Sequence, residues 1–143
     1  ITEGVIARDP VETAITLKEL RELGIKLTID DFGTGYSSLK HLSEFSLDAL
    51  KIDKDFTADI CSKDKHSTAV ADAILAIAQQ LGLEVIAEGV ETQSTLDYLH
   101  SRNCKAAQGY LFSKPLDATH CAKFIQANRA SKNAQRLHRA NAS

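Results

Sequence analysis

The chain has 143 residues, 17 Lys and Arg against 19 Asp and Glu, and a formal net charge of −2. Length predicts about one domain, and Leu, Ile, Val and Phe make up about a quarter of the residues, above the roughly one-fifth floor below which chains tend to stay disordered. The charge balance excludes the strong basic excess of a nucleic-acid polymer binder, and no apolar run reaches the ~18–20 residues of a membrane span. Cys61, Cys104 and Cys121 are widely spaced and contain no CxxC pair, so they read as free thiols in a reducing compartment rather than a disulfide or zinc framework. His41, His66, His100, His120 and His138 form no i,i+4 ligand pair and read as surface residues.

Asp9-Pro10-Val11-Glu12 is a helix start, with Asp9 able to cap and Pro10 at the first helical position. Val11, Ala14, Ile15, Leu17, Leu20 and Leu23 follow near helical spacing until Gly24 closes the helix. The alternation Ile25-Lys26-Leu27-Thr28-Ile29 predicts a strand that runs into Asp30-Asp31-Phe32-Gly33-Thr34-Gly35-Tyr36, a polar glycine loop. Ser37 or Ser38 caps a short helix around Leu39 to Leu42 in this reading. Asp48 to Asp53 predicts a second strand, and 54–66 is left as an irregular or helical stretch. Ser67 to Leu81 predicts a long helix with the stripe Val70, Ile74, Ile77, Ala78 and Leu81, ended by Gly82. Leu83 to Ala87 predicts a third strand, and Thr92 caps a helix that runs to about Arg102. Lys105 to Gln108 predicts a fourth strand, and a last helix covers about Ala118 to Ala127. From Ala130 the chain carries Lys132, Arg136 and Arg139 without an acidic residue, so residues 130–143 read as a basic, disordered tail after a domain at 1–129.

Alternation of helix and strand with crossover-length connections predicts an α/β fold with a parallel sheet. Such folds carry their chemistry at the carboxyl ends of the strands. Those ends hold Asp30 and Asp31, Lys51 and Asp53, Glu88 and Glu91, and Gln108. With no histidine or cysteine among them, a Ser-His or Cys-His nucleophile is disfavoured. Carboxylate oxygens suit Mg²⁺ or Mn²⁺. Side chains alternate along a strand, so Asp30 and Asp31 are expected to point in different directions. One then bridges two ions, or each faces its own. Two ions about 3.5–4 Å apart clamp the attacking and leaving oxygens of a phosphoryl displacement, with Lys51 adding positive charge near the phosphate or the attacking water. The rival reading is an inert ion pair between Asp30 and Lys51. Gly33-Thr34-Gly35 lacks Walker or dinucleotide spacing and gains weight only because it follows the aspartate pair.

Asp30-Asp31-Phe32-Gly33-Thr34-Gly35-Tyr36-Ser37-Ser38-Leu39 resembles the signature loop of EAL domains, the bacterial cyclic di-GMP phosphodiesterases. Leu50-Lys51-Ile52-Asp53, Ala87-Glu88-Gly89-Val90-Glu91-Thr92 and Gln108-Gly109-Tyr110-Leu111-Phe112-Ser113-Lys114-Pro115 resemble three further motifs of that family, in order, and the likeness extends over about residues 1–127. The resemblance implies part of a TIM-like (β/α)8 barrel that cuts cyclic di-GMP to linear pGpG with two Mg²⁺ or Mn²⁺ ions. It implies that Asp30 is a ligand shared by both ions, that Asp31 serves the second, and that Lys51 positions the nucleophilic water. Glu88 becomes the catalytic glutamate, as a metal ligand or general base. Asp53 and Glu91 support the site, Gln108 lies near water and substrate, and Glu3 anchors the glycine loop.

The family's Glu-Ala-Leu glutamate, a metal-binding Asn and the first Glu of the motif that ends in Glu3 would all lie upstream of Ile1. A whole barrel needs roughly 250 residues, so this chain reads as the C-terminal part of one. By itself it is expected to be inactive and to associate through open sheet edges, as a homodimer or as aggregate. The expected location is the cytoplasm, or the cytoplasmic side of a membrane-anchored parent, with no membrane contact from this segment. Two other readings remain open at this stage. One is a degenerate EAL domain that senses the nucleotide or docks a protein. The other is an enolase-like metal-dependent lyase, which fits the carboxylates but not the glycine loop.

Overall fold

The computed structural model describes residues 1–33, 45–58, 60 and 65–140. Two compact units divide the chain at Phe112 and Ser113. The first holds helix α1 (Glu3–Arg8), helix α2 (Pro10–Glu22), strand β1 (Thr28–Phe32), strand β2 (Ala49–Ile52), the short helix α3 (Lys54–Thr57), helix α4 (Lys65–Gln80), strand β3 (Glu84–Ala87), helix α5 (Gln93–Ser101) and strand β4 (Ala106–Ala107). The second holds helix α6 (Ala118–Ala140).

The four strands pair in parallel in the order β1-β2-β3-β4. This is the α/β arrangement the helix-strand alternation predicts, because each parallel neighbour requires a crossover. Residues before β1 begin a further pairing. The Ile1 carbonyl accepts the Asp30 N–H at 2.7 Å, and Thr2 bridges Asp30 in parallel. Ile29, Leu50, Ile52 and Ala87 are fully buried in the sheet, and Ala71, Ile74, Leu75 and Ala78 of α4 belong to the same core. Each large aliphatic residue buried this way contributes about 1.5–3 kcal/mol.

Asp9 caps α2, accepting the Glu12 N–H at 3.0 Å, and the Thr92 hydroxyl oxygen accepts the Thr95 N–H at the start of α5. Four differences from the expected elements bear on the fold. Strand β1 begins at Thr28 rather than Ile25 and includes Asp30 and Asp31. Its extent follows its partners, since Thr28 and Ile29 lie opposite Ala49 and Leu50. The buried face of α4 is Ala71-Ile74-Leu75-Ala78, a true i, i+3, i+4, i+7 set, which leaves Val70 and Leu81 exposed. In α2 only Leu17 is buried, while Val11, Ile15 and Leu23 are exposed. Helix α6 continues past Ala127 to Ala140, because residues 118–140 hold no Gly or Pro and are rich in Ala, Lys, Arg and Gln, all good helix formers. Helix α1 has no counterpart among the predicted elements, and the helix expected around Leu39 to Leu42 lies outside the described residues. No helix among the described residues is long and apolar enough to cross a membrane.

Candidate metal and active site

Parallel pairing brings the predicted residues to one rim. Asp30 and Asp31 lie in the last residues of β1, Lys51 is next to the last residue of β2, and Glu88 and Gln108 follow β3 and β4 directly. The Glu88 N–H donates to the Ile52 carbonyl at 3.1 Å, and the Gln108 N–H donates to the Ala87 carbonyl at 2.8 Å, so the ladder continues through the site.

The aspartates do not point apart as strand alternation predicts. The register between β1 and β2 shifts between Ile29 and Phe32, and Asp31 adopts a left-handed φ of 55°. A bulge of this kind re-aims a side chain at a strand end, and Asp is among the residues that tolerate such a φ. As a result Asp30, Asp31 and Glu88 each present a carboxylate oxygen within 4.8 Å of the others.

Lys51 lies among these groups. Its Nζ is 2.8 Å from Asp30 Oδ1 and also pairs with Glu88 Oε1. The amide of Gln108 donates to the same Glu88 oxygen at 2.8 Å. Hydrogen bonding to Lys51 holds the Asp30 carboxyl below its ordinary range. Hydrogen bonds to Asp30 and then Glu88 raise the Lys51 ammonium above its own, against the opposing effect of partial burial. Both shifts favour the charged forms. The site thus combines three hard oxygen donors with one ammonium that already neutralises part of their charge, a donor set that fits a divalent cation such as Mg²⁺ or Mn²⁺.

Other residues serve the site from a distance. Glu3 is buried, and its Oε1 accepts the Gly33 N–H at 3.3 Å, a direct tie from α1 to the start of the glycine loop. Thr34 and Gly35 lie outside the described residues. Asp53 caps α3, accepting the Asp55 N–H at 2.8 Å, and does not join the carboxylate cluster. Glu91 is exposed and lines a separate recess of about 230 Å³ with Lys54, Asp55, Gly89 and Thr92. Gly109 packs so tightly on Val90 that a Cβ there would overlap the Val90 backbone. Val90 also donates to the Gln108 carbonyl and accepts the Leu111 N–H, both at 3.0 Å, which pins Gln108 beside Glu88. Thr57 was not among the predicted site residues. It is fully buried, and its hydroxyl lies within hydrogen-bonding reach of the Lys54 and Glu88 carbonyls. A lone Thr after Phe56 carries no sequence signal for this role.

Cys104 is buried and Cys121 partly buried, and both are free thiols, as the spacing predicts. Burial raises the Cys104 thiol above its ordinary pKa, which makes it inert rather than nucleophilic. His100 and His120 are exposed.

A parallel α/β sheet with carboxylates and a lysine gathered at the carboxyl ends of its strands is the arrangement of barrel-type α/β folds. The family comparison is specific: residues 1–115 match the EAL domain, and the chain belongs to the EAL domain family. Over 129 residues it is 46% identical to the cyclic di-GMP phosphodiesterase NbdA of Pseudomonas aeruginosa, covering 90% of this chain but only 16% of that protein. The EAL domain of Mycobacterium smegmatis DcpA superposes with a TM-score of 0.81 at 38% identity, covering 89% of this chain and 56% of that one. BlrP1 of Klebsiella pneumoniae, solved with manganese and cyclic di-GMP, superposes with a TM-score of 0.71 at 38% identity, covering 80% and 29%. The fold is accordingly that of a TIM-like barrel, of which the described residues supply four parallel strands. The enolase-like reading falls with the family match.

Proposed function

We propose that this chain carries part of the catalytic rim of a phosphodiesterase that hydrolyses cyclic di-GMP to linear pGpG. The observation that carries the reading is the convergence of Asp30, Asp31 and Glu88 around Lys51 at the strand ends, in a chain of the EAL family. Asp30, Asp31 and Glu88 would hold Mg²⁺ or Mn²⁺, two ions in the complete domain. Such ions, when bound, polarise phosphoryl oxygens and lower the pKa of a bound water.

The chain's own residues supply the rest. Glu88 Oε1 is engaged by Gln108 and Lys51, so Oε2 is left either to hold the ion or, as general base, to accept the proton of the attacking water. Lys51 Nζ can donate to that water or to a phosphate oxygen, and its raised pKa keeps it a cation. Water adds to phosphorus, the P–O3′ bond breaks, and the departing oxygen takes a proton from solvent. The Glu3 tie to Gly33 and the Asp53 cap of α3 support the rim without touching the reacting atoms, and Glu91 makes no contact with the carboxylate cluster among the described residues. Three carboxylates among the described residues, shared between two ions, leave most of both shells to water and substrate and hold the pair loosely. The 143-residue chain alone is therefore expected not to turn over substrate.

The test is incubation of the full-length protein with cyclic di-GMP and Mg²⁺ or Mn²⁺, with pGpG resolved by chromatography. Metal-dependent pGpG formation is expected. Tight binding without cleavage would replace this reading by that of a nucleotide sensor.

A further inference from the structure

Three contacts converge on the backbone at Glu88. Its N–H donates to the Ile52 carbonyl at 3.1 Å, and its carbonyl accepts the hydroxyl of Thr57. Gly89, with a φ of 64°, lies so close to α3 that a Cβ would stand 2.5 Å from Lys54 Cβ. The β2–α3 segment that carries Lys51 therefore grips both backbone polar groups of Glu88. Thr57 is 0% exposed, and a hydroxyl has one proton to give. The Lys54 carbonyl, 3.1 Å from that hydroxyl, already accepts the Ala58 N–H at 2.9 Å. The proton is better used at the Glu88 carbonyl, for which Thr57 is the side-chain donor.

We propose that Thr57 is a positioning residue: its hydroxyl, bonded to the Glu88 carbonyl, fixes the Glu88 carboxylate in register with Lys51, Gln108 and the aspartates. The proposal rests on the phosphodiesterase reading and adds to it a residue with no contact to the reacting atoms. Without the hydroxyl, the Glu88-Gly89 turn is free to rise from α3, and the carboxylate loses its register while the rest of the rim stays in place. A displaced catalytic group costs rate more than substrate binding, because its alignment matters most in the transition state.

The experiment compares Thr57→Val, which keeps the shape and loses the proton, with Thr57→Ser, which keeps the hydroxyl, in the full-length protein. It reads kcat and KM for cyclic di-GMP, and Mn²⁺ affinity from the free-ion paramagnetic resonance signal. Thr57→Val is expected to lower kcat about tenfold with KM within about twofold and to weaken Mn²⁺ binding. Thr57→Ser is expected to restore both. A merely structural role would lower the Tm of Thr57→Val yet leave kcat per folded molecule and Mn²⁺ affinity unchanged. That result, or a Thr57→Ser variant as slow as Thr57→Val, overturns the proposal. Should Thr57→Val fail to fold, Thr57→Cys, similar in size and a weak donor, takes its place with the same two outcomes. A wild-type protein that does not hydrolyse cyclic di-GMP overturns the phosphodiesterase reading instead. Mn²⁺ affinity then decides the role of Thr57: weakened by Val and restored by Ser supports it, and equal affinity in all three proteins overturns it.

Discussion

The rim of the first unit and the helix of the second both rest on polar side-chain hydrogen bonds, yet they are held in opposite ways. At the rim the partners are remote in sequence: Gln108 reaches Glu88 across 20 residues, Glu3 reaches Gly33 across 30, and Thr57 reaches Glu88 across 31. In the second unit, Asp117 and His120 bond each other three residues apart, and the Asn128 amide donates to the Phe124 carbonyl four residues back. Local bonds stabilise a helix wherever that helix lies, whereas remote bonds fix one side chain relative to another. Fixed relative positions are what catalysis requires.

The comparison is broken most directly at the carboxylates. Asp30→Ala and Glu88→Ala are each expected to lower cyclic di-GMP turnover by the full-length protein ~10³-fold or more, a loss of several kcal/mol of transition-state stabilisation. Circular dichroism should remain that of the wild type, because both side chains sit at a solvent-facing rim rather than in the core. Near-wild-type turnover in either variant would remove that residue from the catalytic set.

A second variant asks whether the rim depends on backbone packing beneath it. Gly109→Ala places a methyl group against the Val90 backbone, where neither side can yield without moving Gln108. Destabilisation of about 3 kcal/mol is expected, read as a lower urea midpoint. An unchanged midpoint would mean that the β4 end is looser than the close approach implies.

A smaller effect is expected where a remote bond serves packing alone. The Tyr98 hydroxyl donates to Asp72 Oδ1 at 2.7 Å, and the Arg102 guanidinium both pairs with Asp72 and lies over the Tyr98 ring. Tyr98→Phe should cost about 1 kcal/mol with no change in turnover. A fall in kcat would show that the α4–α5 contact reaches the site.

The same division explains what the sequence discloses. Caps at Asp9 and Thr92, the four strands and the polar strand ends are legible because each is written in adjacent residues. The left-handed Asp31 is not, since it arises from how β1 registers against β2. Alternation alone places the two aspartates on opposite faces, and only the bulge reunites them. Thr57 is invisible for a similar reason: its partner is a carbonyl 31 residues away, and carbonyls carry no residue identity. Helix α1 is obscured by Gly4 and by its brevity, with Ile6 its one described core residue. The length of α6 is missed because a basic, aperiodic stretch resembles a tail, although its helix propensity is high.

The smallest effect belongs to the local pair. Asp117 Oδ1 accepts the His120 N–H at 2.9 Å, as a side chain does at the start of a helix, and Oδ2 lies 2.7 Å from His120 Nδ1. The hydrogen bond from the His120 backbone lowers the Asp117 carboxyl below its ordinary value, with the ring contributing next. A carboxyl whose pKa is lower in the folded state stabilises that state while it is ionised, and the benefit is lost as pH falls through the folded value. Protection of the His120 amide from hydrogen exchange should therefore be steady at neutral pH and decline below about pH 4. Asp117→Asn keeps an acceptor oxygen but cannot titrate, so its protection should be lower at neutral pH and flat across that range. The rim should not respond to this substitution, and turnover should match the wild type. If wild-type His120 stayed equally protected through the acid range, Asp117 would not be the group that holds the start of α6. The helix would then owe its first turn to propensity alone.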